Sequence, residues 1–340
     1  MNRILVAVAA FLLAAACATE NGGPPTFQYA VDSSAKPWTH EAFDDDADKL
    51  TFAVISDLTG GEREKIFDIA VAGLNLLRPE LIMSVGDLID GVGENEASLT
   101  AEWEVFDGRT TKLTAPFFRV GGNHDLTGTV LRDLWNERYG PYYYHFTYKN
   151  ALFLVLDTED HSPERMAEIK RIRDEAIKAL DGPNPPPQSE LAYFSLPERV
   201  TGNIGAEQAA YFEQVIADNP DVRWTFLFMH KPIWRREDRN DFNRIEDALK
   251  NRPYTLFNGH FHTYSYNVRK GRDYISLATT GGGQGAEDEN SFDHVTLVTL
   301  SDSAPSIVNL RLDGILEKTG KLAPAADGVC FQAARCVGEN

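Results

Sequence analysis

Apolar positions in this chain fall into short runs separated by amphipathic stretches. Phe52-Ala53-Val54-Ile55, Leu81-Ile82-Met83-Ser84-Val85, Phe117-Phe118-Arg119-Val120 and Leu152-Phe153-Leu154-Val155-Leu156 have the length and composition of strands buried on both faces. Between the first two, Ile66, Ile69, Ala70, Gly73, Leu74 and Leu77 recur at helical spacing, and Pro79 closes the segment. The second half repeats the rhythm, with predicted strands near 224–229, 254–257, 274–279 and 293–300 and helices near 206–218 and 241–250. Strand–helix alternation of this kind predicts β-α-β units. Residues 160–205 interrupt it with a charged helix from Glu164 to Leu180 and then Gly182-Pro183-Asn184-Pro185-Pro186-Pro187. This insertion is too long for a connector and reads as a lid or rim over the working face.

The beginning of the chain carries a different pattern. Met1-Asn2-Arg3 is a short basic start, Ile4 to Leu13 an apolar run, and Ala14-Ala15-Ala16 the small residues that precede a signal-peptide cleavage point. Cys17 follows directly, and the segment resembles the lipobox of bacterial lipoproteins, with Ala14 where leucine is most usual. The resemblance implies removal of residues 1–16 and lipidation of Cys17; a plain secretory signal with a chance cysteine is the other reading. No later segment approaches roughly 18 apolar residues, so lipid would be the membrane anchor. Ala18 after the cysteine resembles an outer-membrane sorting pattern, so the expected location is the cell envelope, at the outer membrane facing the periplasm or cell surface.

Residues 17–49, with Gly22-Gly23-Pro24-Pro25 and Asp44-Asp45-Asp46, read as an N-terminal spacer. Residues 50–315 form the main domain, including the 160–205 insertion, and 316–340 a tail. In an oxidising compartment the tail's Cys330 and Cys336 are expected to form a disulfide. Composition is that of an ordinary globular protein, 43% hydrophobic and 25% charged. A net charge of −18 repels a polyanionic duplex and argues against nucleic acid as a partner.

The candidate chemistry sits at the ends of the predicted strands: Asp57, Gly86-Asp87-Leu88-Ile89-Asp90, Gly122-Asn123-His124-Asp125, His230 and Gly259-His260-Phe261-His262. The carboxyl ends of strands are where open α/β sheets bind ligands. Singly, each is an ordinary cap, turn or buried histidine. Together they offer oxygen and imidazole donors without thiolate, a set suited to a pair of divalent first-row cations.

In this order the motifs resemble the calcineurin-like metallophosphoesterase family, from about Thr51 to Leu300. Tyr139-Gly140-Pro141 with Tyr143-Tyr144 resembles a segment common in its extracellular members. The resemblance implies an α/β fold, a four-layer α-β-β-α sandwich of two mixed β-sheets flanked by helices. It also implies a dinuclear centre of divalent ions (Mn, Fe or Zn), with Asp87 bridging, Asp57 and His262 on the first metal, and Asn123, His230 and His260 on the second. His124 would stand beside the leaving group as general acid, oriented by Asp125.

Two positions depart from the family pattern. Thr59 stands two residues after Asp57, where the family has histidine, so the first metal is expected to bind more weakly. Thr59 ligating through its hydroxyl or a water, and Glu62 turning in, are the alternatives for the missing donor. Asp90 occupies the place of the tyrosine that binds ferric iron in purple acid phosphatases, which argues against a purple centre. The expected activity is metal-dependent hydrolysis of a small phosphorylated substrate, a phosphomonoester or phosphodiester, by metal-activated water. The alternative is a degenerate lipoprotein that binds a phosphorylated ligand or one metal. The insertion and the loop 281–290 are expected to set the substrate.

Overall fold

The structure is a computed structural model describing residues 26–44, 49–236, 241–285, 288–316 and 329–331. Cys17 and the leader, Cys336 and most of the tail lie outside the described residues. Its strands are β1 (Phe27–Tyr29), β2 (Leu50–Ile55), β3 (Leu81–Ser84), β4 (Phe117–Phe118), β5 (Tyr144–Tyr148), β6 (Ala151–Val155), β7 (Trp224–Phe228), β8 (Tyr254–Asn258), β9 (Ser265–Arg269), β10 (Arg272–Ser276), β11 (His294–Leu300) and β12 (Ser306–Arg311). Its helices are α1 (Ile66–Leu77), α2 (Glu96–Thr110), α3 (Asn123–Leu126), α4 (Thr129–Tyr139), α5 (Pro163–Leu180), α6 (Ala192–Ser195), α7 (Pro197–Thr201), α8 (Ala206–Asp218) and α9 (Phe242–Ala248).

Two mixed sheets result, one ordered β12-β11-β2-β3-β4 and the other β1-β5-β6-β7-β8-β10-β9. Strands β2, β3 and β4 run parallel in the first, and β6, β7, β8 and β10 in the second. Side-chain alternation divides each central strand between two cores. Phe52 and Val54 of β2 enter the layer between the sheets with Phe153, Phe226 and Phe228, whereas Ala53 and Ile55 pack under α1, α2 and α4. Leu152, Leu154 and Leu227 turn outward against α8 and α9. This is the four-layer α-β-β-α arrangement. Both faces of each central strand are covered, which is why these strands read as continuous apolar runs.

Strands β1, β5, β9 and β12 carry no such run. In β5, Tyr144, Phe146 and Tyr148 are buried while His145 and Thr147 are half-buried. A mixed polar and apolar alternation of this kind, next to a loop-like Tyr-Gly-Pro, hides the strand. The stretch 26–44, read in the sequence as spacer, packs on the fold: β1 pairs with β5 and Trp38 is buried against Phe27 and Phe118. Trp38→Ala is expected to cost about 3–5 kcal/mol, since it empties a large buried site. Urea unfolding should then show a lower midpoint at unchanged slope.

Candidate metal centre

Asp57 follows β2, Asp87 follows β3, Asn123 and His124 begin α3 just after β4, His230 follows β7, and His260 and His262 follow β8. Five strand ends, three from one sheet and two from the other, thus converge on one place. Two donor groups form there, Asp87 with His230 and His260, and Asp57 with Asp87 and His262, the ligand atoms of each lying within 4.8 Å of one another. Asp87 belongs to both.

Hydrogen bonds assign the tautomers of the three imidazoles. His230 Nδ1 donates to the Val85 carbonyl at 2.9 Å, His260 Nε2 to the Arg199 carbonyl at 2.7 Å, and His262 Nδ1 to the Gly283 carbonyl at 2.6 Å. Each ring therefore turns its other nitrogen, an unprotonated donor, toward the centre. Around His230 Nε2 lie Asp87 Oδ2 at 3.1 Å, Asn123 Oδ1 at 3.2 Å and His260 Nδ1 at 3.2 Å. With these tautomers four lone pairs face one another with no proton between them, an arrangement that calls for a cation. His262 Nε2 likewise faces Asp57 Oδ1 at 3.4 Å.

The metal-free electrostatics carry the same message. Burial raises the Asp87 carboxyl, but His230 and His124 outweigh it and leave it well below the usual range. Burial lowers His230, but Asp87 lifts it to about 9. Burial followed by the nearby Asp87 charge pushes Asp125 up to about 7. The Asp87 carboxylate thus draws positive charge to this point.

Local backbone serves the cluster. Asp87, His260 and His262 have left-handed φ of 56°, 81° and 55°, a conformation that bulkier side chains adopt at some cost and that clusters at functional sites. At Gly122 a Cβ would lie 2.3 Å from Asp87 Oδ1, so only glycine lets this turn approach the shared carboxylate. At Gly60 a Cβ would stand 3.3 Å from His262 Nε2 and 3.8 Å from His124 Nε2. Its absence leaves a small cradle where the two imidazoles converge.

His124 sits at the rim of the cluster. Its amide donates to Asp87 Oδ1 at 2.9 Å, and its Nδ1 lies 2.6 Å from the Asp90 carbonyl and 3.3 Å from Arg173 Nη2. The orienting role expected of Asp125 falls instead to the Asp90 carbonyl. Asp125 accepts the amides of Leu88 at 2.9 Å, Ile89 at 3.2 Å and Gly122 at 2.8 Å. It is a brace between the two ligand turns, because its buried carboxylate faces main-chain donors rather than the ring. Thr59 is buried, and its hydroxyl donates to the Asp90 carboxylate. Glu62 is engaged by Arg109.

The insertion reaches this centre at two points. Arg173 of α5 meets His124 and the Gly91 carbonyl, and α7 presents the Arg199 carbonyl to His260. Beside it, Lys231 pairs with Glu159 at 2.6 Å and donates to the Glu198 carbonyl at 3.1 Å, tying α7 to the strand end that carries His230. Main-chain partners such as Arg199 and Gly283 leave no mark in a sequence. Arg173 leaves one only as a cation on the buried side of a charged helix.

An α-β-β-α sandwich with Asp, Asn and His donors on five strand ends defines a metal-dependent hydrolase fold. A family model for calcineurin-like phosphoesterase matches residues 50–264, more than half of the chain, and the chain belongs to that family. It is accordingly a metal-dependent phosphoester hydrolase. The fold is similar to that of a dimetal phosphatase from Danio rerio, at 15% identity and a TM-score of 0.55 over 79% of this chain and 98% of that one. It is also similar to purple acid phosphatase PPD1 from yellow lupin (Lupinus luteus) seeds, at 10% identity and a TM-score of 0.52 over 82% of this chain and 53% of that one. No curated protein matches the sequence.

Proposed function

We propose that the protein hydrolyses a small phosphate monoester or diester at a centre of two divalent cations, as a lipoprotein of the cell envelope. The observation that carries the catalytic part is the meeting of Asp87, Asn123, His230 and His260 around one point, with Asp87 shared by the second donor group. The donors fit divalent ions: Asn123, His230 and His260 would hold one, Asp57 and His262 the other, and Asp87 both. When bound, such ions polarise phosphoryl oxygens and lower the pKa of water. The chain supplies the rest. The carbonyls of Val85, Arg199 and Gly283 hold the imidazoles in register, so the site is rigid before substrate arrives. His124, fixed at Nδ1 by its hydrogen bond to the Asp90 carbonyl, would as the imidazolium carry at Nε2 the proton that a leaving alkoxide takes up, and burial, against the pull of Asp87, lowers its pKa so that this proton is readily given. Arg173, buried on the Nδ1 side of the ring, holds fixed positive charge behind His124 and donates to the Gly91 carbonyl.

Turnover of an aryl phosphate and a bis-aryl phosphate, each tested with Mn2+, Zn2+, Fe2+ and Mg2+, is the expected outcome. Failure with every pairing would favour the binding lipoprotein, the reading that rests on Thr59. The membrane part rests on Cys17 and its leader. Among the described residues no helix is long and apolar enough to cross a membrane. Cys17→Ser is expected to move the protein from the membrane fraction to the soluble one; retention on membranes would refute the lipid anchor.

A further inference from the structure

The two donor groups are unequal. The group around His230 has four donors, Asp87, Asn123, His230 and His260, whereas the other has three, Asp57, Asp87 and His262. Thr59 lies buried in the turn between Asp57 and Gly60, the latter set against the His262 ring, and its hydroxyl donates to Asp90. A threonine hydroxyl whose proton is held by a carboxylate turns its lone pairs away from that carboxylate and gains electron density, which makes it a better metal donor than a free alcohol.

Asp90 is suited to this. Among the described residues no basic side chain pairs with it, although it lies close to Glu102, whose carboxyl is raised by burial and in part by the Asp90 charge. A carboxylate with an acidic neighbour and no cation of its own is favourable where an ion is to be bound. Its turn is also pinned on both sides. Its own carbonyl accepts His124 Nδ1 at 2.6 Å, and the next amide, Gly91 N, donates to Glu102 Oε2 at 2.9 Å. Gly91 has φ of 57°, and a Cβ there would meet the His124 carbonyl at 1.8 Å. The carboxylate is therefore held toward Thr59 by backbone that has little room to shift.

The geometry points to Thr59 and Asp90 as one unit that completes the first metal site with oxygen where an imidazole is missing. This rests on the two-ion reading above. The first ion then has an oxygen-dominated shell, Asp57, Asp87 and the Thr59–Asp90 pair with His262 as its one imidazole, which favours harder ions than the second site does.

Metal titration of the whole protein with Mn2+, read by calorimetry and by metal analysis after gel filtration, tests this without any substrate. Two equivalents are expected for the natural sequence. Thr59→Val removes the hydroxyl with its shape kept, and Asp90→Asn removes the charge. Each should weaken one equivalent by about 10–100-fold, the range found when supporting groups of metal ligands are removed, and leave the other unchanged. The double variant should be no worse than Thr59→Val, because the pair acts as a unit. Thr59→His on the Asp90→Asn background should restore the second equivalent and raise affinity for Zn2+ more than for Mn2+. Asp90 is exposed, so its variants should melt like the natural protein, which separates lost metal from lost fold. Two unchanged equivalents in Asp90→Asn would overturn the inference. Absence of turnover with both equivalents bound and Asp90-dependent would instead overturn the proposed reaction and leave the inference standing.

Discussion

Asp87→Asn is expected to remove both metals and, with them, hydrolysis. Asp87 is the residue common to both donor groups, and its buried carboxylate also pairs with His230 at 3.1 Å. Loss of a supporting group costs about 10–100-fold in metal affinity, so loss of a carboxylate shared by two ions should exceed that at both sites. Asparagine is a sharp probe here for a backbone reason. The residue sits at φ of 56°, and asparagine is among the few side chains that tolerate left-handed backbone. Its amide oxygen can still accept the His124 amide. The variant should therefore fold, with a thermal midpoint close to that of the metal-free natural protein, while metal analysis reads near zero. Two retained equivalents of metal would mean that the shared role belongs to another residue.

His124→Asn is expected to do the reverse, lowering kcat while keeping the metal. His124 is not a member of either donor group, and its ring is fixed by the Asp90 carbonyl. Asparagine places its amide near the position of Nδ1 but has nothing at Nε2, the atom assigned to proton transfer. General acid catalysis is worth about 10²–10⁴-fold, and a loss of that size is expected for a poor alkyl leaving group. For an aryl ester, whose leaving group needs little protonation, the loss should be much smaller. His260→Asn is the control, since it should lower metal content and activity together. If the His124 variant loses metal as severely as that control, the division of roles is incorrect. Full activity on the alkyl ester would move the proton donor elsewhere.

The central strands and the residue types at their ends were readable from the chain alone, for one physical reason. A strand covered by a second sheet on one face and helices on the other is apolar at most positions, so β2, β3, β6, β7 and β8 appear as near-continuous apolar runs. Metal chemistry restricts donors to a few side chains, so Asp57, Asp87, Asn123, His230, His260 and His262 stand out at the ends of those runs. The family's first-motif gap at Thr59 was visible on the same terms.

What fills that gap, and what aims the ligands, depended on tertiary structure. Thr59 and Asp90 are 31 residues apart and meet because β2 and β3 lie side by side. The orienting groups of His230, His260, His262 and His124 are main-chain carbonyls of Val85, Arg199, Gly283 and Asp90, and every residue carries the same carbonyl. Sequence marks only side chains, so it named the ligands and left their orientation unstated. The edge strands β1, β9 and β12, and β5 beside the edge strand β1, were hidden for a related reason. An edge exposes part of its surface, mixes polar with apolar residues, and becomes a strand only when a neighbouring strand takes up its hydrogen bonds.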